Sequence, residues 1–132
     1  MCDSDNYIKI HNLEIGDILS INYCDFDNKE RLGLFVVIYT NEKEEDKHRL
    51  NFLGCKITSC FKDEYKYYVE LPKGMANLRK DSRICSNLVH ILHKKQIRKH
   101  VGRLPKEKLI ELRDMFSVFT DIVDKQMEGV IQ

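Results

Sequence analysis

The sequence predicts an α+β, mainly β domain. About five strands form a small, strongly bent sheet or barrel, and one C-terminal helix packs on it. Three observations carry this expectation. Between residues 16 and 92, short runs alternate in polarity or are rich in β-branched and aromatic residues, each bounded by a polar turn. After residue 93 that two-residue period is lost. Beyond Pro105, apolar residues recur at three- and four-residue spacing. The 132 residues suit one domain, and no repeat, low-complexity segment or linker divides them.

The elements follow in order. "GDILSINY" (16–23) sets Leu19, Ile21 and Tyr23 against Ser20 and Asn22, the signature of a half-buried strand. "CDFDNKER" (24–31) is a polar loop. "LGLFVVIYT" (32–40) is almost continuously apolar and reads as a central strand. An acidic-rich tip, "NEKEEDK" (41–47), precedes a third strand over residues 48–60 and a fourth over 65–71. After a turn (72–81), "SRICSNLVHIL" (82–92) is a fifth. "KKQIRKHVG" (94–102) reads as a short helix ending at Gly102. The last helix spans 104–127, with Pro105 near its first turn, where a missing N–H costs nothing. Leu109, Leu112, Phe116, Phe119 and Val123 make one core-facing stripe along it.

Net charge is only +1, yet nine Lys/Arg stand against one Asp between Arg79 and Lys106, with three His among them. A near-neutral protein can thus carry a cationic face that a phosphate backbone would feel. The basic segment around Lys94, Lys95, Arg98 and Lys99 is its centre. The sequence shows no transmembrane run and no signal peptide. Five cysteines, an odd number without framework spacing, are expected as free thiols in a reducing, cytoplasmic setting.

The stretch "LGCKITSC" (53–60) decides how the chemistry is read. Cys55 and Cys60 invite a metal or redox role. Their spacer lacks turn residues, however, and on a strand two positions five apart point to opposite faces. Leu53, Cys55, Ile57 and Phe61 share the core parity, as does Ser59. Lys56, Thr58, Cys60 and Lys62 share the other. Thr58 is therefore a hydroxyl set among lysines, a candidate phosphate contact.

In their order and spacing, "GDILSINY", "LFVVIYTN", "CKITS", "DSRICSNLVHI" and "VGRLPKEKLIEL" resemble the MazF/PemK-like family of growth-inhibiting toxins over roughly residues 16 to 120. The resemblance implies an SH3-like small barrel with a C-terminal helix, working as a homodimer. It also implies cleavage of single-stranded RNA without metal or cofactor. The ribose 2′-OH attacks the adjacent phosphate, leaving a cyclic phosphate and a free 5′-OH. A cognate antitoxin would cover the RNA groove with an acidic tail. Carried over by motif, the catalytic pair is Arg31 and Thr58; Glu30, in the same loop as Arg31, is a separate candidate base or a solvated charge. Lys56, Ser59, Lys62, Asn87 and His90 are candidate RNA contacts, and Tyr65, Tyr67 and Tyr68 candidate base-stacking rings. The chain departs from the family in three places. Leu32 stands where proline follows the arginine, Asn87 where glutamine is preferred, and His90 where threonine is common. These departures leave a second expectation open: a family member without catalysis, serving as a nucleic-acid or protein binding module.

Overall fold

The computed structural model describes residues 13–24, 27–40, 51–61 and 66–132, with the side chain of Asn51 excepted. The expected acidic tip, Lys62 and Tyr65 lie outside the described residues. Among the described residues, six strands form one antiparallel sheet: β1 (Asp17–Cys24), β2 (Glu30–Thr40), β3 (Asn51–Thr58), β4 (Tyr68–Leu71), β5 (Ser82–His93) and β6 (Ile97–Arg103). Their order is β4-β5-β3-β2-β1-β6. The chain ends in one long helix, α1 (Lys106–Ile131).

Both faces of the central strands are buried, which is why β2 reads as a continuous apolar run. One face carries Ile18, Val36, Cys55 and Ile57 and receives Leu112 of α1. The other gathers Leu19, Ile21, Phe35, Val37, Phe52 and Leu92. Among the described residues, α1 packs on the first of these faces, and the sheet itself curls. Register shifts interrupt the β1–β6, β2–β3 and β3–β5 ladders, and each such bulge sharpens the local twist and bend.

The curl brings β6 against the connection between β4 and β5. A 3-10 turn at Met75–Asn77 closes the gap. Asn77 Nδ2 donates to the carbonyl of Val101 at 2.9 Å. A Cβ at Gly102 would stand 2.4 Å from the carbonyl oxygen of Ala76, so only glycine admits the approach. Ala76 and Asn77 both hold left-handed backbone, with φ of 50° and 66°, a conformation that persists where surrounding contacts enforce it. β4 and β6 remain the two ends of the hydrogen-bonded order. The small barrel expected from the sequence is thus a curled sheet plugged by a turn.

Three expectations need correction. Residues 94–102 are not a helix. Lys94–Gln96 form one 3-10 turn, capped by His93 Nδ1 accepting from Lys95 N–H and by Gln96 Oε1 accepting from His93 N–H. β6 follows it, and the strand count rises from five to six. Ile97 and Val101 are four apart, a spacing that also fits a helix. The edge of β1 decides the matter by pairing from Asp17 to Ile21 with β6. Phe61 is not core: it is 47% exposed, because β3 ends at Thr58 and the chain bends at Ser59 and Cys60, which ends the parity rule. Lastly, only the first half of the helical stripe docks. Leu112 is fully buried, whereas Val123 is 39% exposed, because α1 runs on past the sheet.

The cysteines are separated, Cys55 buried in β3 and Cys60 exposed, but Cys60 lies in the bend after β3, so the end of the strand and not its parity parts them; the four described cysteines are all free thiols. Burial, with Cys85 nearby, pushes the Cys55 thiol up to about 12.

Candidate functional site

The strand ends around β2 and β3 enclose a cavity of about 1210 Å³. β2 contributes Glu30 to Leu34 and the end of β3 Lys56 to Ser59. The β4–β5 connection supplies Asn77 to Lys80, β5 supplies Ser82, β1 supplies Ser20 and Tyr23, and β6 supplies Lys99 and Val101. Five lining residues are cations (Arg31, Lys56, Arg79, Lys80 and Lys99), and Glu30 is the single carboxylate among them. A concave surface with this imbalance concentrates anions, because the walls exclude water while the charges add.

Arg31 and Thr58 line this same cavity. Arg31 stands opposite Tyr23 in the β1–β2 register, so their side chains leave the sheet on one face. Its guanidinium is held by Asp27 from the β1–β2 loop at 3.3 Å. Both partners are partly exposed, so the pair orients more than it stabilises. Thr58 closes β3, and its Oγ1 accepts from the Cys60 N–H at 3.0 Å and lies 3.2 Å from the Cys60 carbonyl. This local turn is the reason the strand stops there.

Lys56 reaches across β2 to the Tyr23 hydroxyl, with 2.5 Å between nitrogen and oxygen. Behind Tyr23, His90 packs edge-on at 5.7 Å and also meets Phe35 at 5.1 Å between ring centroids. His90 therefore buttresses the wall and is not one of the lining residues. Asn87 is also absent from the lining, and its Oδ1 is buried without a hydrogen-bond partner. Ser59 is exposed and lines the cavity. Of the basic segment, Lys99 alone lines it. Lys94 is buried, with its pKa lowered by desolvation. Tyr67 packs on Phe119 of α1 at 5.3 Å.

Sequence reasoning missed Tyr23 as a site residue. It lies on the buried parity of β1, and only its pairing with Arg31 reveals where it points. Among the described residues, no group of three His, Cys, Asp or Glu gathers as metal ligands. Among them, too, no helix is long and apolar enough to cross a membrane.

A curled antiparallel sheet with one terminal helix and a cation-lined cavity at its strand ends defines a small SH3-like α+β domain with an anion-attracting site. The family model described as PemK-like, MazF-like toxin of type II toxin-antitoxin system matches residues 14–119. The chain belongs to this family. Solved structures share the fold at low identity. The crystal structure of MazE-MazF (Form-II) from Deinococcus radiodurans aligns with TM-score 0.66 at 15% identity, over 84% of this chain and 97% of that one. An endoribonuclease from a mycobacterial species gives 0.60 at 9%, over 82% and 90%. A mycobacterial endoribonuclease in complex with its cognate antitoxin gives 0.61 at 9%, over 81% and 93%. No curated protein matches the chain.

Proposed function

We propose that the protein is a metal-independent endoribonuclease toxin of a toxin–antitoxin pair, cutting single-stranded RNA by 2′-OH attack on the adjacent phosphate. The observation that carries this reading is that Arg31 and Thr58 line one cavity, whose five cations, Arg31 among them, face one carboxylate. Arg31 braces the non-bridging oxygens of the phosphorane, a task suited to a planar, permanently charged fork. Thr58 donates its hydroxyl to the same phosphate. Glu30 takes the 2′-OH proton, and Tyr23, polarised by Lys56, protonates the leaving 5′-oxygen. The products are a cyclic phosphate and a free 5′-OH.

Structures similar in fold are described as MazE-MazF and as an endoribonuclease with its cognate antitoxin. By analogy, this protein is held inactive by an antitoxin whose acidic segment enters the cationic cavity. It acts as a homodimer in the cytoplasm.

A second reading, a binding module without catalysis, is favoured by one feature. Leu32 replaces the expected proline and is 68% exposed, while Arg31 is engaged by Asp27. Cleavage of a single-stranded RNA in EDTA, by wild type and by Arg31→Ala and Thr58→Ala proteins, separates the two. Wild-type protein that leaves RNA intact refutes the nuclease. Activity unchanged in both variants refutes the assigned residues. Activity abolished by EDTA refutes the metal-free mechanism.

A further inference from the structure

We propose that Phe61, Arg83 and Tyr68 form a stacking platform for one unpaired base of single-stranded RNA beside the cavity. The inference rests on RNA being the ligand of that cavity. Arg83 in β5 stands opposite Thr58 in β3, so its side chain emerges beside the threonine hydroxyl. Its neighbour Ser82 lines the cavity.

The Arg83 guanidinium lies between two rings, 4.2 Å from the centroid of Phe61 and 3.9 Å from that of Tyr68. Glu70 of β4, its cross-strand partner, pairs with it at 3.5 Å. Arg83 Nε is buried without a hydrogen-bond partner, so stacking and the Glu70 pair hold the guanidinium. The result is a ring–cation–ring ladder. Its outer member, Phe61, remains 47% exposed.

Thr58 couples ladder and cavity. Its Oγ1 accepts from Cys60 N–H, and that turn presents Phe61 one residue later. An exposed phenylalanine keeps an apolar ring in water. A nucleobase would cover it sequence-tolerantly, since every base has a flat face to stack. The charge of the adjoining cavity selects the ligand: an anionic backbone carrying flat apolar groups is single-stranded nucleic acid.

The test measures binding of a fluorescent 2′-O-methyl oligoribonucleotide of about 12 nucleotides, which lacks the attacking hydroxyl and is not cut. Its abasic counterpart keeps every phosphate. Wild-type protein is expected to prefer the base-bearing strand by about tenfold. Phe61→Leu brings that ratio near one, and Phe61→Trp preserves it. The salt dependence, which reports phosphate contacts, stays the same in all three. Thermal unfolding verifies that each variant is folded. A ratio unchanged in Phe61→Leu overturns the platform alone. Failure of wild type to bind either strand overturns the RNA reading and the platform with it. If Phe61→Leu weakens polyglutamate binding and leaves the base preference intact, the ladder belongs to an acidic peptide and the proposal falls.

Discussion

The ammonium nitrogen of Lys56 lies 2.5 Å from the hydroxyl oxygen of Tyr23, so β3 and β1 are joined across β2 inside the cavity. The same nitrogen is 4.9 Å from the ring centroid, a separation that follows from bonding at the oxygen and not from a cation resting on the ring face. Gly33 makes the reach possible: a Cβ there would stand 2.8 Å from Tyr23 Cε1. With Lys56 donating, the phenolic hydrogen is left to point at a ligand.

Tyr23→Phe keeps the ring that packs on Phe35 and His90 and removes only the hydroxyl. Folding stability should fall by about 0.5–1.5 kcal/mol, the range for one hydrogen bond. If Tyr23 protonates the leaving oxygen, cleavage should fall by about 100-fold or more. Single-turnover assays alongside urea unfolding measure both. A loss of activity no larger than the loss of stability would remove Tyr23 from the mechanism.

Asp27→Asn removes the carboxylate that pairs with the guanidinium of Arg31. The pair is partly exposed, so stability should change by less than about 1 kcal/mol. Salt-dependent RNA binding should tighten, because a carboxylate near the phosphate site is gone. Weaker binding at low salt would show that Asp27 holds Arg31 in its working position.

Gly102→Ala tests the plug that completes the curl. The new methyl meets the backbone of Ala76, which no side-chain rotation relieves. A cost of about 1–3 kcal/mol is expected, as for an overpacked core. An unchanged urea midpoint would show that the turn at Met75–Asn77 moves freely.

Leu112→Ala and Val123→Ala contrast the two halves of α1. Leu112 is 1% exposed and packs with Ile18 and Val36, so its truncation should cost about 2–5 kcal/mol. Val123 lies beyond the sheet, and its change should stay within about 0.5 kcal/mol for the monomer. A large effect at Val123 that grows with protein concentration would place that half of the helix in an assembly.

Alkaline pH should reveal Cys55. Its folded pKa of about 12 lies above the ordinary thiol value of 9.0, so the folded chain keeps a proton that the unfolded chain releases. This stabilisation of the neutral thiol has a direction: stability is unaffected below about 9 and falls as pH rises from there toward 12. Urea midpoints of wild type and Cys55→Ala across that window measure it. Parallel curves would show that the thiol is reached by water.

The sequence by itself determined the strand-rich body, the long C-terminal helix and the family. Each rests on local periodicity or on short motifs that one segment carries alone. It also marked Arg31, Lys56, Thr58 and Ser59, which the fold brings to one cavity. Only the tertiary structure decided the rest. Residues 97–103 became a strand because β1 had an open edge. Phe61 left the core because the Thr58 hydroxyl ended β3. His90 moved behind the wall, and Tyr23 came forward to Lys56, because register fixes which side chains share a face. Such pairings are made by backbone hydrogen bonds between segments distant in sequence. A single segment carries no record of its partner, so the walls of the site could be read only once the sheet had curled.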